Sequence, residues 1–323
     1  MNDEKQQKQT NQEEIFQSFQ NIQSKGALKN VDKDDDRYNQ MKDSYKASSW
    51  YAKTKLREEE PEMAAALDKV DESNVIVVQG GYDNCELVLR LADIPHVVIS
   101  EQSAKTVSYR PDQTVFINCP GNISDKAIRK LVTFVHEGGL LITTDWALQN
   151  VLEKGFPDKV KYNQKPTGDE VVRITVKDPD NPIVKGFLEA EGDPLWWLEG
   201  SSYPIEILDK KNVKVLVYSN ELKTKYGESP VIVEFEHGEG KVIHMISHFY
   251  LQRTETRDKK DKMAASTAME GKYYEMAPQA IKEKLNATDT ASFKSAQSSV
   301  DFIQKNIAAQ KIKSLKKEED NTE

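Results

Sequence analysis

His136-Glu-Gly-Gly-Leu-Leu-Ile-Thr-Thr-Asp-Trp-Ala-Leu-Gln-Asn-Val-Leu152 is the stretch whose reading decides the fold. The glycine pair Gly138-Gly139 stops a helix. Leu140-Leu-Ile-Thr-Thr144 is short, apolar and β-branched, the composition of a buried strand. The chain then turns abruptly into a helix that opens at Trp146. Turns of this kind at the carboxyl ends of strands carry reactive or ligand-binding residues in open α/β sheets. The residue at the turn is Asp145, flanked by Thr144 and Trp146.

Upstream, the same alternation repeats. Val75-Ile-Val-Val78 is a β-branched strand that ends in Gly80-Gly81, and residues 84–92 read as a helix capped by Asp83 or Asn84. Ile94–Ser100 and Gln113–Asn118 give two more strands. Cys119-Pro120-Gly121-Asn122 is a turn, and Ser124 caps a helix over 125–137 with Ile128, Leu131, Val132 and Val135 on one face. Strands alternating with helices, and apolar throughout, predict an open α/β sheet covered on both faces. Three loops then converge at its carboxyl edge: Gly80-Gly81-Tyr82-Asp83, Asn118-Cys119-Pro120-Gly121 and Thr144-Asp145-Trp146.

Past residue 170 the texture changes. Glu170–Val176 alternates like an edge strand. Trp196-Trp197, Val213–Tyr218, Pro230–Phe235 and Lys241–Ile246 follow, the last two forming a hairpin that delivers Ser247-His248 to a strand end. This predicts an antiparallel extension of a mostly parallel sheet. The expected division is a polar extension over 1–72, an α/β domain over 73–250, a polar loop over 251–288, a packed helix over 289–312 and a charged tail over 313–323. Within the extension, Ile15, Phe16, Phe19 and Ile22 form a small apolar stripe that could dock on a partner. A helix over 41–60, with Tyr45, Trp50, Tyr51 and Leu56, packs on the core. Phe293, Ala296, Val300, Ile303 and Ile307 repeat at helical spacing in the final helix.

Composition bounds the function classes. Of 323 residues, 37% are hydrophobic and 30% charged, with a net charge of −8, so no basic excess advertises nucleic acid. No run of about 18 apolar residues exists to span a membrane. Cys85 and Cys119 are too few for a disulfide scaffold, and a cytoplasmic setting is expected. Asp32, Asp34, Asp36 and Asp43 match part of a calcium-loop template, but Arg37 stands where the loop needs glycine. An acidic linker is the better reading.

The order of elements resembles the class I glutamine-amidotransferase-like superfamily, including its trehalose-utilisation-type branch without amidotransferase activity. Val115–Gly121 looks like the strand and loop that supplies an oxyanion donor. Gly138–Gln149 looks like the strand and nucleophile elbow. Gly240–His248 looks like the last strand, with the family's histidine. The resemblance covers roughly residues 73–250 and implies a flavodoxin-like sheet. Asp145 stands where the family's nucleophilic cysteine would be, and a carboxylate cannot form the glutaminase thioester. Tyr250 occupies the acid position of the family's His-x-Glu arrangement. Glutaminase activity is therefore not expected.

Two readings of the elbow stay open. Asp145 and His248, the candidate catalytic pair, could act on water as a general base. Alternatively Asp145 caps the helix at Trp146 by accepting backbone N–H bonds. Asp83, Asp145, His244 and His248 are the only plausible metal donors, and no spacing motif supports a metal or another cofactor. Trp196-Trp197 could stack on a sugar or a partner, or fill the core. The expectation is a non-catalytic binding or assembly module with protein partners. Its candidate ligand cleft is formed by Gly80, Gly81, Tyr82, Asp83, Asn118, Cys119, Gly121, Thr144 and Trp146. A hydrolase or carbohydrate-related enzyme using Asp145 and His248, and a small-ligand or anion sensor, are the alternatives.

Overall fold

β-branched and apolar runs with no polar alternation can be stable only when both faces of a sheet are covered. The three central strands meet that condition: β1 (Val75–Val78), β3 (Thr114–Ile117) and β4 (Leu140–Thr144) are buried at every residue. The computed structural model of the chain describes residues 36–190, 194–248, 262–267, 269 and 271–320. Together with β2 (Val97–Ile99), these strands belong to an eight-stranded sheet of order β2-β1-β3-β4-β12-β11-β10-β7. Its further members are β7 (Thr175–Val176), β10 (Val213–Tyr218), β11 (Pro230–His237) and β12 (Gly240–Met245).

The strands from β2 to β12 run parallel, and β11, β10 and β7 continue antiparallel. The order 2-1-3-4 places the reversal of winding between β1 and β3, and the crevice beyond that point is where such sheets hold ligands. This is the expected α/β class: a mostly parallel core with an antiparallel extension and helices around it.

Helices after β1 and β3 begin where the sequence places them: α3 (Cys85–Leu91) and α4 (Asp125–His136). Ser124 caps α4 by accepting a bond from the Ala127 N–H at 3.4 Å. Before them come α1 (Asp36–Glu59) and α2 (Pro61–Leu67). Tyr45, Tyr51 and Leu56 of α1 are buried, and Tyr51 meets Tyr273 edge-on at 5.1 Å. Asp43 lies in α1 and pairs with Lys284, so this end of the calcium-loop template is helical. Ile15, Phe16, Phe19, Ile22, Asp32 and Asp34 lie outside the described residues.

Four expectations change. Glu170–Val176 is not one edge strand. Its first part, β6 (Glu170–Arg173), pairs with β8 (Leu195–Leu198) in a separate ladder, and only β7 reaches the main sheet. The Trp196 strand offers β6 a partner that local alternation cannot reveal. A second small ladder joins β5 (Val160–Tyr162) to β9 (Ile205–Ile207). After Trp146 the chain makes a π-helical turn (Leu148–Leu152), not the start of a regular helix.

Residues 251–288, read as polar loop, contain two α-helices in their described part: α5 (Gly271–Met276) and α6 (Gln279–Ala287). Their Tyr273 and Leu285 are fully buried, enough to hold a polar segment in place. The last helix, α7 (Thr290–Asp320), runs on through most of the expected charged tail. Phe293, Ala296, Val300, Ile303 and Ile307 are all buried along it, as their spacing predicts. Among the described residues, no helix is long and apolar enough to cross a membrane.

Candidate functional site

Register brings the site together. Thr144, the last residue of β4, pairs with Met245, the last residue of β12. The Asp145 N–H donates to the Met245 carbonyl at 2.9 Å, so the residues after both strands leave the sheet side by side. Asp145 has a φ of 44° and Ser247 a φ of 65°, both in the left-handed region that side chains avoid. Such backbone strain concentrates at functional turns. Here it swings the Asp145 and His248 side chains toward one point.

Asp145 is 3% exposed and His248 4%. The His248 Nε2 atom lies 3.8 Å from Asp145 Oδ2, and His248 Nδ1 lies 2.8 Å from Glu199 Oε1. Both Asp145 oxygens are engaged elsewhere as well. Ser202 Oγ donates to Oδ2 at 2.9 Å, and the Tyr203 backbone N–H donates to Oδ1 at 2.8 Å. The carboxylate therefore does not cap the following turn. The Leu148 N–H bonds to the Asp145 backbone carbonyl instead. Burial pushes the Asp145 carboxyl up to about 7, against the stabilising His248, Tyr203 and Ser202.

A second node sits next to the first. Thr144 Oγ1 donates to Asp83 Oδ2 at 2.7 Å and accepts the Cys119 N–H at 3.1 Å. One hydroxyl thus ties together the loops after β1, β3 and β4. Asp83 is fully buried and its carboxyl is raised, chiefly by that burial. Gly80 is required by close approach: a Cβ there would lie 2.0 Å from the Cys119 carbonyl oxygen. The Tyr82 N–H donates to that same oxygen. This amide and the Cys119 amide, two groups that could have received an anion, are thus committed inside the protein.

Cys119 is 1% exposed and lies with Asp145 and His248 in a group whose donor atoms fall within 4.8 Å of one another. Burial pushes its thiol up to about 12, although His248 and the Trp146 backbone N–H favour the thiolate. Above the group, Trp146 stacks on Tyr203 with centroids 5.5 Å apart and meets Tyr82 edge-on at 5.2 Å. Its Nε1 donates to the Ser201 carbonyl at 2.7 Å.

Of the residues picked from sequence, the structure gathers Tyr82, Asp83, Cys119, Thr144, Asp145, Trp146 and His248 around this edge. Asn118 is buried beside them and donates to Glu86 at 2.8 Å. Gly121, with a φ of 70°, has no room for a side chain, since a Cβ there would lie 2.9 Å from Val151 and 3.1 Å from Ala147. Gly81 lies next to Pro120. His244 is not part of the group. Its Nδ1 bonds to Thr143 Oγ1 at 2.8 Å within the sheet, and burial lowers its pKa to about 3. Trp196 is core: its Nε1 donates to the Ile246 carbonyl at 2.9 Å and its ring lies against Phe187.

Glu199, Ser202, Tyr203 and Ser247 were not singled out in the sequence. Glu199, whose Oε1 lies 2.8 Å from His248 Nδ1, comes from just after β8, 49 residues earlier. An acid closing an aromatic strand was its only local signal, too common to be read as a site.

No protein-family model matches the chain, and no curated protein matches it. Among solved structures, it is similar to a cytoplasmic protein from Salmonella typhimurium, with 14% identity and a TM-score of 0.40 over 56% of this chain and 90% of that one. It is also similar to a ThuA-like protein from Bacteroides uniformis, with 11% identity and a TM-score of 0.39 over 55% and 82%. A β-galactosidase from Bacillus circulans gives 14% identity and a TM-score of 0.38 over 59% and 31%. The matched part thus spans less than a third of that galactosidase. The fold described above is fixed by the strand order of the sheet itself.

Proposed function

We propose that this chain is a binding module of the glutamine-amidotransferase-like type, whose strand-end centre holds a ligand and performs no covalent glutaminase chemistry. The observation that carries this reading is the state of the elbow residue. Asp145 has both oxygens engaged, by Ser202 Oγ and the Tyr203 N–H, in a 3%-exposed setting. A carboxylate cannot form the thioester of glutaminase chemistry, and the two bonds fix the direction of the lone pair that each oxygen keeps. A carboxylate held in this way is instead a rigid, pre-oriented donor for something small.

One observation favours a second reading. The Asp145 carboxyl, raised to about 7 and set beside His248 and Glu199, has the makings of an acid–base relay. A single assay separates the two. The full chain is presented with glutamine, activated esters and nitrophenyl glycosides, beside Asp145→Asn and His248→Gln. The binding reading expects no turnover by the full chain beyond that of the variants. Turnover that both substitutions abolish overturns it and establishes the relay.

A further inference from the structure

We propose that Cys119, Asp145 and His248 together bind a divalent transition metal, and that their chemistry selects zinc. The inference rests on the binding-module reading and names the ligand of the same centre. Its basis is convergence: a thiol, a carboxylate and an imidazole, one from the end of each of β3, β4 and β12, place donor atoms within 4.8 Å of one another. All three side chains are buried. Zinc bonds of about 2.0–2.3 Å put neighbouring donors roughly 3.3–3.8 Å apart, so the 3.8 Å between His248 Nε2 and Asp145 Oδ2 already approaches that spacing.

The surroundings hold each donor in a metal-facing pose. Glu199 Oε1 at 2.8 Å from His248 Nδ1 leaves Nε2 as the nitrogen turned inward, the carboxylate–histidine arrangement that orients metal-bound imidazoles. The Tyr203 N–H fixes Asp145 Oδ1, and Oδ2, which accepts one bond from Ser202 Oγ, keeps a second lone pair and lies 3.8 Å from His248 Nε2. The Trp146 backbone N–H faces the Cys119 sulfur.

Charge and donor type narrow the ion. A thiolate and a carboxylate balance a dication in a dry interior, where an unbalanced charge would be costly. Calcium and magnesium prefer sets made of oxygen alone, which this group is not. Mixed sulfur, nitrogen and oxygen donors suit zinc. On binding, the Cys119 thiol gives its proton to solvent and its sulfur bonds the ion. Three protein donors leave one of zinc's four positions for a solvent oxygen. The ligands sit at positions 119, 145 and 248, so no short spacing motif could announce them.

The full chain, stripped with chelator and dialysed, tests this with zinc and cobalt(II) as probes. One equivalent of zinc is expected by elemental analysis. Cobalt(II) is expected to give a thiolate-to-metal charge-transfer band in wild type and Cys85→Ser that is absent in Cys119→Ser. Zinc affinity should fall by about 10–100-fold in Glu199→Gln, and further still in Asp145→Asn and His248→Gln. Circular dichroism of each metal-free variant shows which are folded. Where Cys119→Ser does not fold, the wild-type band together with the Glu199→Gln affinity decides. The proposal is overturned if folded wild type takes up no stoichiometric metal, or if the band persists in folded Cys119→Ser. A metal-free result without turnover leaves the binding-module reading standing. Asp145-dependent turnover removes that reading whatever the metal result.

Discussion

His244 and His248 are both almost completely buried, one inside β12 and the other just beyond it, yet they belong to two chemically different regions. Inside the sheet, His244 has a hydroxyl for a partner and is held neutral, its pKa lowered by burial to about 3. At the sheet's carboxyl edge, His248 stands between two carboxyl groups and beside a thiol. Equal burial, then, does not make equal sites. Within the sheet, strand pairing uses the backbone polar groups and leaves side chains to pack. Beyond the strand ends the backbone must turn, polar side chains satisfy it, and titratable groups are drawn together.

The largest expected effect lies in the interior. Leu141→Ala, at a fully buried position of β4, should cost about 2–5 kcal/mol of unfolding free energy. Denaturant titration measures this loss, and the spectroscopic signature of the folded edge should vanish only with global unfolding. A separate loss of the edge at low denaturant would break the picture of one continuous structure.

Next in size is a pair of substitutions, one for each histidine. Thr143→Val removes the hydroxyl partner of His244 and should cost about 1–3 kcal/mol by stranding a buried ring nitrogen. It should leave metal uptake at the edge unchanged. Glu199→Gln is expected to do the reverse, weakening uptake with a smaller change in stability. Equal effects of the two on uptake would erase the distinction between interior and edge.

The smallest effects are in pH dependence, and they have opposite signs in the metal-free chain. His244 has a folded pKa of about 3 against an ordinary 6.5, so the unfolded chain binds the proton first. Its contribution to stability is present above pH 6.5 and is lost as pH falls from there toward 3. Asp145 has a folded pKa of about 7 against an ordinary 3.8, so the folded chain holds the proton longer. Its contribution is present below pH 3.8 and is lost as pH rises through 7. Urea midpoints measured across this range should lose a rise with pH in His244→Gln and lose a fall with pH in Asp145→Asn, because the two windows overlap and only the signs differ. A change of slope of the same sign in both variants would contradict the assignment.

Much of the fold was legible because periodicity and punctuation are local. The apolar runs of β1, β3 and β4, the Ser124 cap and the heptad-like row from Phe293 to Ile307 each declare themselves within a few residues. The split of Glu170–Val176 was not legible, because pairing with β8 is a long-range choice. The helices over 271–287 were masked by their charge, since a helix held by one or two buried residues has an overwhelmingly polar sequence.

For the candidate site, the sequence by itself determined that Asp145 stands at a strand-end turn, that His248 follows the last core strand, and that the loops at Asp83, Cys119 and Thr144 share one edge. Only the tertiary structure decided what these residues do to one another. It set Glu199 behind His248, engaged both oxygens of Asp145, excluded His244, and brought Cys119 into the group. The physical reason is that strand propensity and capping act over a few residues. The partners of a buried charge are chosen by sheet register and loop closure across a hundred or more.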